Sequence, residues 1–367
     1  MEVFVNPTVD RRASFHGLFQ ESAYRAVADF YNSRPSLTPT PLHSLPALAA
    51  HLSLAGVLIK DETRRFGLEA FKIAGALYAM RTLGAPALPR GVVCATAGNH
   101  GRAVARAARE IGCECTVFVP AEHPRATERE RRTRAARIDG MRRDGAVTTD
   151  VAGSYEDAVA RAADHARHTG ACVVSDTSWE GYETIPRAIM SGYTRLFDEA
   201  HQEWTRAPDV VLIQGGVGGL VCAAANWFSW RYGSRRPYLI ACEPESAACL
   251  LESARAGRAA TVQASKPGEV PTMMAGLRCA APSPAAWPSV QAGIDAFVAV
   301  SDAIVEEALD ILSHPRAGDT RIVSGPSGAC GLGALLALLS APELDLVRGI
   351  RALDRSTRVM VIVTEGP

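Results

Sequence analysis

An apolar, largely β-branched run, Val210-Val211-Leu212-Ile213-Gln214, passes directly into Gly215-Gly216-Val217-Gly218-Gly219 and then into a stretch with helical character. Strand, glycine turn and helix in immediate succession point to an α/β layer, because a parallel strand needs a crossover to bring the chain back. The order recurs where an apolar run at 91–95 precedes Gly98-Asn99-His100-Gly101 and an alanine-rich stretch. Further strand-like runs lie at 56–60, 115–119, 171–175, 238–242, 297–300 and 359–364. They alternate with helical patterns at 71–82, 101–111, 155–169, 185–201, 219–230 and 329–339. That alternation predicts mostly parallel sheets flanked by helices, with ligands bound outside the carboxyl ends of the strands.

Glycines at such turns let backbone N–H groups approach an anion, and the helix that follows adds a favourable dipole. A glycine turn also serves without any ligand. The 215–219 turn lacks the Gly-Lys-Ser/Thr of a P-loop and matches G-x-G-x-x-G poorly. Lysine usage narrows the reading. Only Lys60, Lys72 and Lys266 occur among 39 basic residues, so arginine supplies nearly every positive charge. Arginine stays protonated and is a poor imine former, whereas a lysine amine can be tuned to that task. Lys72 sits in Ala70-Phe71-Lys72-Ile73-Ala74-Gly75. A lone lysine, an anion-binding turn and a separate phosphate loop together suggest pyridoxal 5'-phosphate, with the lysine forming the imine.

Several segments, in order along most of the chain, carry a resemblance. They are Lys60-Asp61-Glu62 with Arg65-Phe66-Gly67-Leu68, Ala70-Phe71-Lys72, Gly98-Asn99-His100-Gly101 and Asp176-Thr177-Ser178-Trp179-Glu180-Gly181-Tyr182. Glu243-Pro244, Met274-Ala275-Gly276-Leu277, Ser324-Gly325-Pro326-Ser327-Gly328 and Thr364-Glu365-Gly366 follow. The chain resembles the diaminopropionate ammonia-lyase family, pyridoxal-phosphate enzymes of the tryptophan-synthase-β-like class (fold type II). The resemblance implies two open, twisted, mostly parallel sheets in two α/β domains with the cofactor between them. Residues 80–205 would form the small domain, and 1–79 with 206–367 the large one.

The resemblance also implies roles. Lys72 would hold the cofactor and then remove the α-proton of an L-amino acid. Asn99 would meet the ring hydroxyl, and Gly216, Val217, Gly218, Gly219 and Leu220 the phosphate. Thr364 would meet the pyridine nitrogen; a neutral hydroxyl there favours elimination from Cβ. Thr96, Ala97, Gly98 and His100 would line the substrate carboxylate site. Asp176, expected to be catalytic, and Glu180 could both face a β-ammonium; a helix N-cap is the plainer role for Asp176. His100 is either a proton carrier or a structural imidazole.

Three departures bear on substrate. Ala97 stands where the family has the aspartate associated with D-isomers, which predicts action on L-substrates. Pro326 replaces a glutamate, and the chain ends at Gly366-Pro367 where relatives continue. The leading expectation is β-elimination of ammonia from 2,3-diaminopropionate to give pyruvate. A β-replacement transferase, a serine or threonine dehydratase-type enzyme of secondary metabolism and a non-catalytic binding protein are the alternatives.

Formal net charge is zero, which offers nothing to nucleic acid or an anionic membrane. The arginine-rich 125–143 stretch carries Glu128, Glu130 and Asp139 without aromatic interleaving, and reads as a solvated helix face. The start lacks signal-peptide features and no apolar run spans a bilayer, so a soluble cytoplasmic enzyme is expected; a homodimer acting on a small-molecule amino acid is the accompanying expectation. Nine scattered cysteines show no metal spacing. By resemblance Cys249 and Cys279 fall where the family has a cysteine pair; a reducing cytosol argues against a bond between them.

Overall fold

The computed structural model describes residues 1–9, 11, 19–83, 90–262, 272–341 and 353–367; Lys266 falls outside them. Among the described residues there are eleven strands: β1 (Glu2–Val5), β2 (Leu42–Ser44), β3 (Gly56–Asp61), β4 (Val92–Ala95), β5 (Cys115–Pro120), β6 (Val147–Val151), β7 (Cys172–Val173), β8 (Val210–Gln214), β9 (Tyr238–Pro244), β10 (Ala296–Val300) and β11 (Arg358–Val363). The α-helices are α1 (Glu21–Asn32), α2 (Pro46–His51), α3 (Lys72–Leu83), α4 (Asn99–Ile111), α5 (Glu128–Arg143), α6 (Tyr155–Thr169), α7 (Thr184–Glu203), α8 (Gly219–Tyr232), α9 (Cys249–Ala256), α10 (Trp287–Gly293), α11 (Asp302–Ser313) and α12 (Pro326–Ser340).

The strands form two sheets, ordered β1-β10-β9-β8-β11-β3-β2 and β6-β5-β4-β7. All neighbours in the four-stranded sheet run parallel. In the seven-stranded sheet only the edge strands β1 and β2 are antiparallel. β8 and β10 are buried along their whole length, as their uninterrupted apolar sequences require of strands covered on both faces. The chain thus builds three strands of the large sheet, all of the small sheet, and then returns to the large one.

α3 lies between the layers, and every residue from Ile73 to Met80 is buried. Its neighbour α7 approaches so closely that a Cβ on Gly75 would fall 2.4 Å from the Tyr193 ring, and one on Gly192 2.5 Å from the Ala74 carbonyl oxygen. Small residues at this crossing set how Lys72, at the head of α3, is presented.

Behind α3 sits a buried charge network. Glu199 on α7 accepts from Lys60 Nζ at 2.9 Å, from Arg65 Nη2 at 2.6 Å and from Arg195 Nε at 2.8 Å. Arg65 also donates to Glu62, and Thr40 Oγ1 donates to Glu62 at 2.6 Å. Burial works against the Arg65 charge, yet Glu62 and Glu199 reverse this and hold its pKa above the usual value. Burial likewise opposes the Glu199 carboxylate, and Arg65 and Lys60 overcome it. Removing one member of such a set leaves the others charged, buried and unpaired. Glu199→Gln should therefore lower unfolding free energy by about 3–5 kcal/mol. Glu21→Gln, which removes the exposed pair with Arg25, should cost less than about 1 kcal/mol. Chemical denaturation of both variants is the check.

Candidate active site

Lys72 opens α3, and its Nζ donates to Asp176 Oδ2 at 2.6 Å. Asp176 follows β7, so the pair joins the segment leaving one sheet to the carboxyl end of the other. The side chains are 24% and 19% exposed. Burial pulls the ammonium of Lys72 towards neutrality, but Asp176 outweighs it and holds the lysine pKa above its usual range. Burial pushes Asp176 up, and the opposing charges of His100 and Lys72 bring it well below the usual carboxylate range. The free amine is thus stored as an ammonium on a carboxylate.

His100 approaches the same carboxylate oxygen. Its Nε2 is 2.9 Å from the Val174 carbonyl oxygen, which can only accept, so Nε2 carries a proton. Nδ1 is buried without a hydrogen-bond partner and stands 3.8 Å from Asp176 Oδ2. Asp176 is held in a compact turn rather than acting as a helix cap. Tyr182 Oη donates to the Val173 carbonyl and accepts from the Ser175 N–H, and Trp179 stacks on Tyr182 at 4.1 Å. Glu180 is exposed at the turn tip, and among the described residues it has no hydrogen bond or ion pair to the Lys72 cluster.

Asn99 begins α4, after Gly98 as N-cap. Thr96 Oγ1 accepts the Gly98 N–H at 2.9 Å and shapes this turn, with Ala97 half-buried inside it. The Asn99 amide donates to Glu365 Oε2 at 2.5 Å. Glu365 follows Thr364, which is buried directly beyond β11. Residues 364–366 run antiparallel to 69–71. Phe71 N–H donates to the Thr364 carbonyl and Gly366 N–H to the Glu69 carbonyl, beside a bridge between Ala70 and Glu365. The strand end carrying Thr364 is thereby tied to the residues just before Lys72.

At the end of β8, Gly218 is the N-cap of α8 and adopts φ +92°, a conformation that excludes most side chains. The first N–H groups of α8, those of Gly219 and Leu220, have no partner inside the helix. A Cβ on Gly216 would come within 3.3 Å of Cys279 Sγ. The Val217 carbonyl accepts from Ser283 N–H, and the hydroxyls of Ser283 and Ser178 are 2.9 Å apart. The proline-rich 280–287 segment is therefore an ordered strap joining the glycine turn to the Asp176 turn. Cys249 and Cys279 are both free thiols; Cys249 Sγ donates to the Gly216 carbonyl at 3.5 Å. Pro326 stands in the first turn of α12, where its missing N–H costs nothing.

The sequence profile described as "Pyridoxal-phosphate dependent enzyme" matches residues 34–350. The diaminopropionate ammonia-lyase of Escherichia coli (strain K12) is 33% identical over 95% of this chain and 89% of its own length. That of Salmonella typhimurium is 32% identical over 93% and 88%. The chain belongs to the diaminopropionate ammonia-lyase family of pyridoxal-phosphate dependent enzymes. Its fold is similar to the crystal structure of the Escherichia coli lyase in complex with an aminoacrylate-PLP azomethine reaction intermediate. The TM-score is 0.87 and the identity 32%, over 100% of this chain and 93% of that one. Threonine deaminase isoform 2 from Solanum lycopersicum shares the fold with a TM-score of 0.78 at 20% identity, covering 100% of this chain and 88% of that one.

The residues present fit the cofactor. A partly exposed lysine amine faces the space between the two sheets, and a glycine-rich turn leading into the head of α8 suits a phosphate. Two site residues escaped sequence reasoning. Glu365 was legible only as part of a motif, and Arg137, 3.0 Å from Glu365 Oε2, read as part of a solvated face.

Glu243 lies behind the glycine turn, fully buried, with its two oxygens accepting the N–H groups of Leu250 and Leu251 at 2.8 Å each. Burial dominates over those bonds and pushes its pKa up to about 8. The native state therefore holds this proton more tightly than the unfolded chain. The stabilisation is complete below the ordinary carboxylate range and lost as pH rises towards 8. Glu243→Gln should leave thermal stability nearly unchanged at pH 5, become progressively stabilising relative to wild type as pH rises towards 8, and level off above it. Paired melting curves across that range are the check.

Proposed function

We propose that this chain catalyses pyridoxal-phosphate-dependent β-elimination of ammonia from L-2,3-diaminopropionate, giving pyruvate and ammonia. The observation that carries the reading is the Lys72–Asp176 contact of 2.6 Å between the two sheets, together with family membership. When bound, the cofactor supplies the electron sink that makes the substrate α-proton removable. Gly216, Val217, Gly218, Gly219 and Leu220 hold its phosphate through backbone N–H groups at the head of α8. Asn99 donates to its ring hydroxyl and Thr364 meets its pyridine nitrogen.

Lys72 Nζ takes the α-proton. The electrons of that C–H bond become the Cα–Cβ double bond, and those of the Cβ–N bond leave with ammonia. Hydrolysis of the released enamine yields pyruvate and the second ammonia. Asp176 has two tasks in this scheme. It is the neighbouring carboxylate for Lys72, and it offers a negative partner to the β-ammonium, so the leaving nitrogen departs as neutral ammonia. His100, whose Nδ1 stands near the same Asp176 oxygen as Lys72, supports the carboxylate when Lys72 is engaged. The turn of Thr96, Ala97, Gly98, Asn99 and His100 receives the substrate carboxylate at the head of α4. Alanine at 97 cannot accept a proton, which favours the L-isomer. Glu180 is not needed as a substrate contact. No helix among the described residues is long and apolar enough to cross a membrane. A cytoplasmic homodimer is the assembly we propose.

Three outcomes test the reading. Borohydride reduction of the holoenzyme should trap the cofactor on Lys72, as peptide mass mapping will show; a label elsewhere sinks the assignment. Pyruvate should appear from L- but not D-diaminopropionate. Asp176→Asn should lower kcat/KM for L-diaminopropionate on the order of 10²-fold or more, as expected for truncating one member of a half-buried, hydrogen-bonded charge pair. The loss should be smaller for O-acetyl-L-serine, whose leaving group carries no ammonium. Equal losses for both substrates would remove the β-ammonium role. A product that forms only with an added nucleophile would point to β-replacement.

A further inference from the structure

Helix α5 touches the large-sheet body through two ion pairs of opposite sense. Glu130 pairs with Arg278, and Arg137 Nη2 lies 3.0 Å from Glu365 Oε2. Glu130 and Arg137 are about two turns apart and share one face. The Glu365 end of this contact is buried. Glu365 is 4% exposed, and Arg137 keeps only 17% of its side chain in solvent. The carboxylate is also fixed from its own side, since Oε1 accepts the Ser327 N–H at 3.2 Å at the head of α12. Oε2, the oxygen that meets Arg137, is the one that accepts from the Asn99 amide at 2.5 Å.

An amide side chain can be turned over with little change in shape, exchanging donors for an acceptor. A carboxylate oxygen tolerates only the donor end. Whatever holds Glu365 therefore decides which way Asn99 faces. We propose that Arg137 and Glu365 are positioning residues for the cofactor. Arg137 anchors Glu365, and Glu365 locks the Asn99 amide with its N–H groups towards the ring hydroxyl. Because Arg137 rides on α5 and Glu365 on the end of β11, the lock is set only when the small sheet lies against the large one. The inference rests on the Asn99 role proposed above, and the experiment separates the two.

Holoenzyme variants are compared by cofactor dissociation constant and by the absorbance maximum of the bound cofactor, which reports hydrogen bonding at the ring hydroxyl. Glu365→Gln keeps the shape but accepts either amide orientation. It should weaken cofactor binding about three- to tenfold, the worth of one hydrogen bond, and shift the maximum. Arg137→Met should do the same, and Arg137→Lys should restore both readouts towards wild type. Arg132→Met, on the exposed face of the same helix, should alter neither. In an Asn99→Ala background, adding Glu365→Gln should change nothing further, whereas a merely structural effect would add. If Asn99→Ala shifts spectrum and affinity while the Glu365 and Arg137 variants match wild type, the positioning inference is overturned and the Asn99 role stands. If Asn99→Ala itself changes neither readout, both fall.

Discussion

The Glu199 carboxylate, taken out of water with Lys60, Arg65 and Arg195 around it, is the contact on which the rest of the architecture turns. It fastens α7 to β3 and to the turn that follows β3. That turn leads through Leu68 and Ala70 to Lys72, and α7 packs on α3 at Gly75 and Gly192. The start of α3 is thus held from behind by charge and from the side by close packing. Buried charges contribute little net stability against an apolar replacement. Their effect here is directional: with each oxygen already committed, the turn has one arrangement, and the Lys72 amine emerges towards Asp176.

The Lys72–Asp176 pair shows how one geometry can serve storage and reaction. A salt bridge keeps the amine protonated and the carboxylate ionised, a state that suits neither imine chemistry nor proton abstraction. Engagement of the lysine nitrogen removes the positive partner, and Asp176 is then left with His100 and with whatever cation the substrate brings. In the function we propose, a β-ammonium meets that need, and a neutral β-substituent does not. Substrate preference can therefore arise from the charge left behind by the lysine, without a dedicated pocket.

Much of this was readable in the chain. The runs at 56–60, 115–119 and 210–214 became strands because continuous apolar sequence between polar turns fits a sheet covered on both sides. The glycine turn after Gln214 and the turn before Asn99 fell at helix starts, where backbone chemistry and sequence agree. β1, β2 and β6 were not legible. They lie at sheet edges or are very short, and β6, with Thr148, Thr149 and Asp150, lacks an apolar face. Asp176 and Lys72 could be singled out one by one, but their contact could not. Arg137 was misread for the same reason. Its partner is 228 positions away, and nothing local distinguishes it from the solvated arginines beside it.

The strand order carries a consequence for how the molecule is made. The four strands of the small sheet are contiguous in sequence, whereas β11 lies between β3 and β8, pairing with both. During synthesis the small sheet can close early, but β3 and β8 each present an open edge until β11 is inserted. Such edges are templates for pairing with other chains. The nascent protein passes through a stage with a finished small layer and a split large one, and its exposure to misassembly is greatest then. The residues we propose for the cofactor, drawn from both halves, come together only when this last gap is filled.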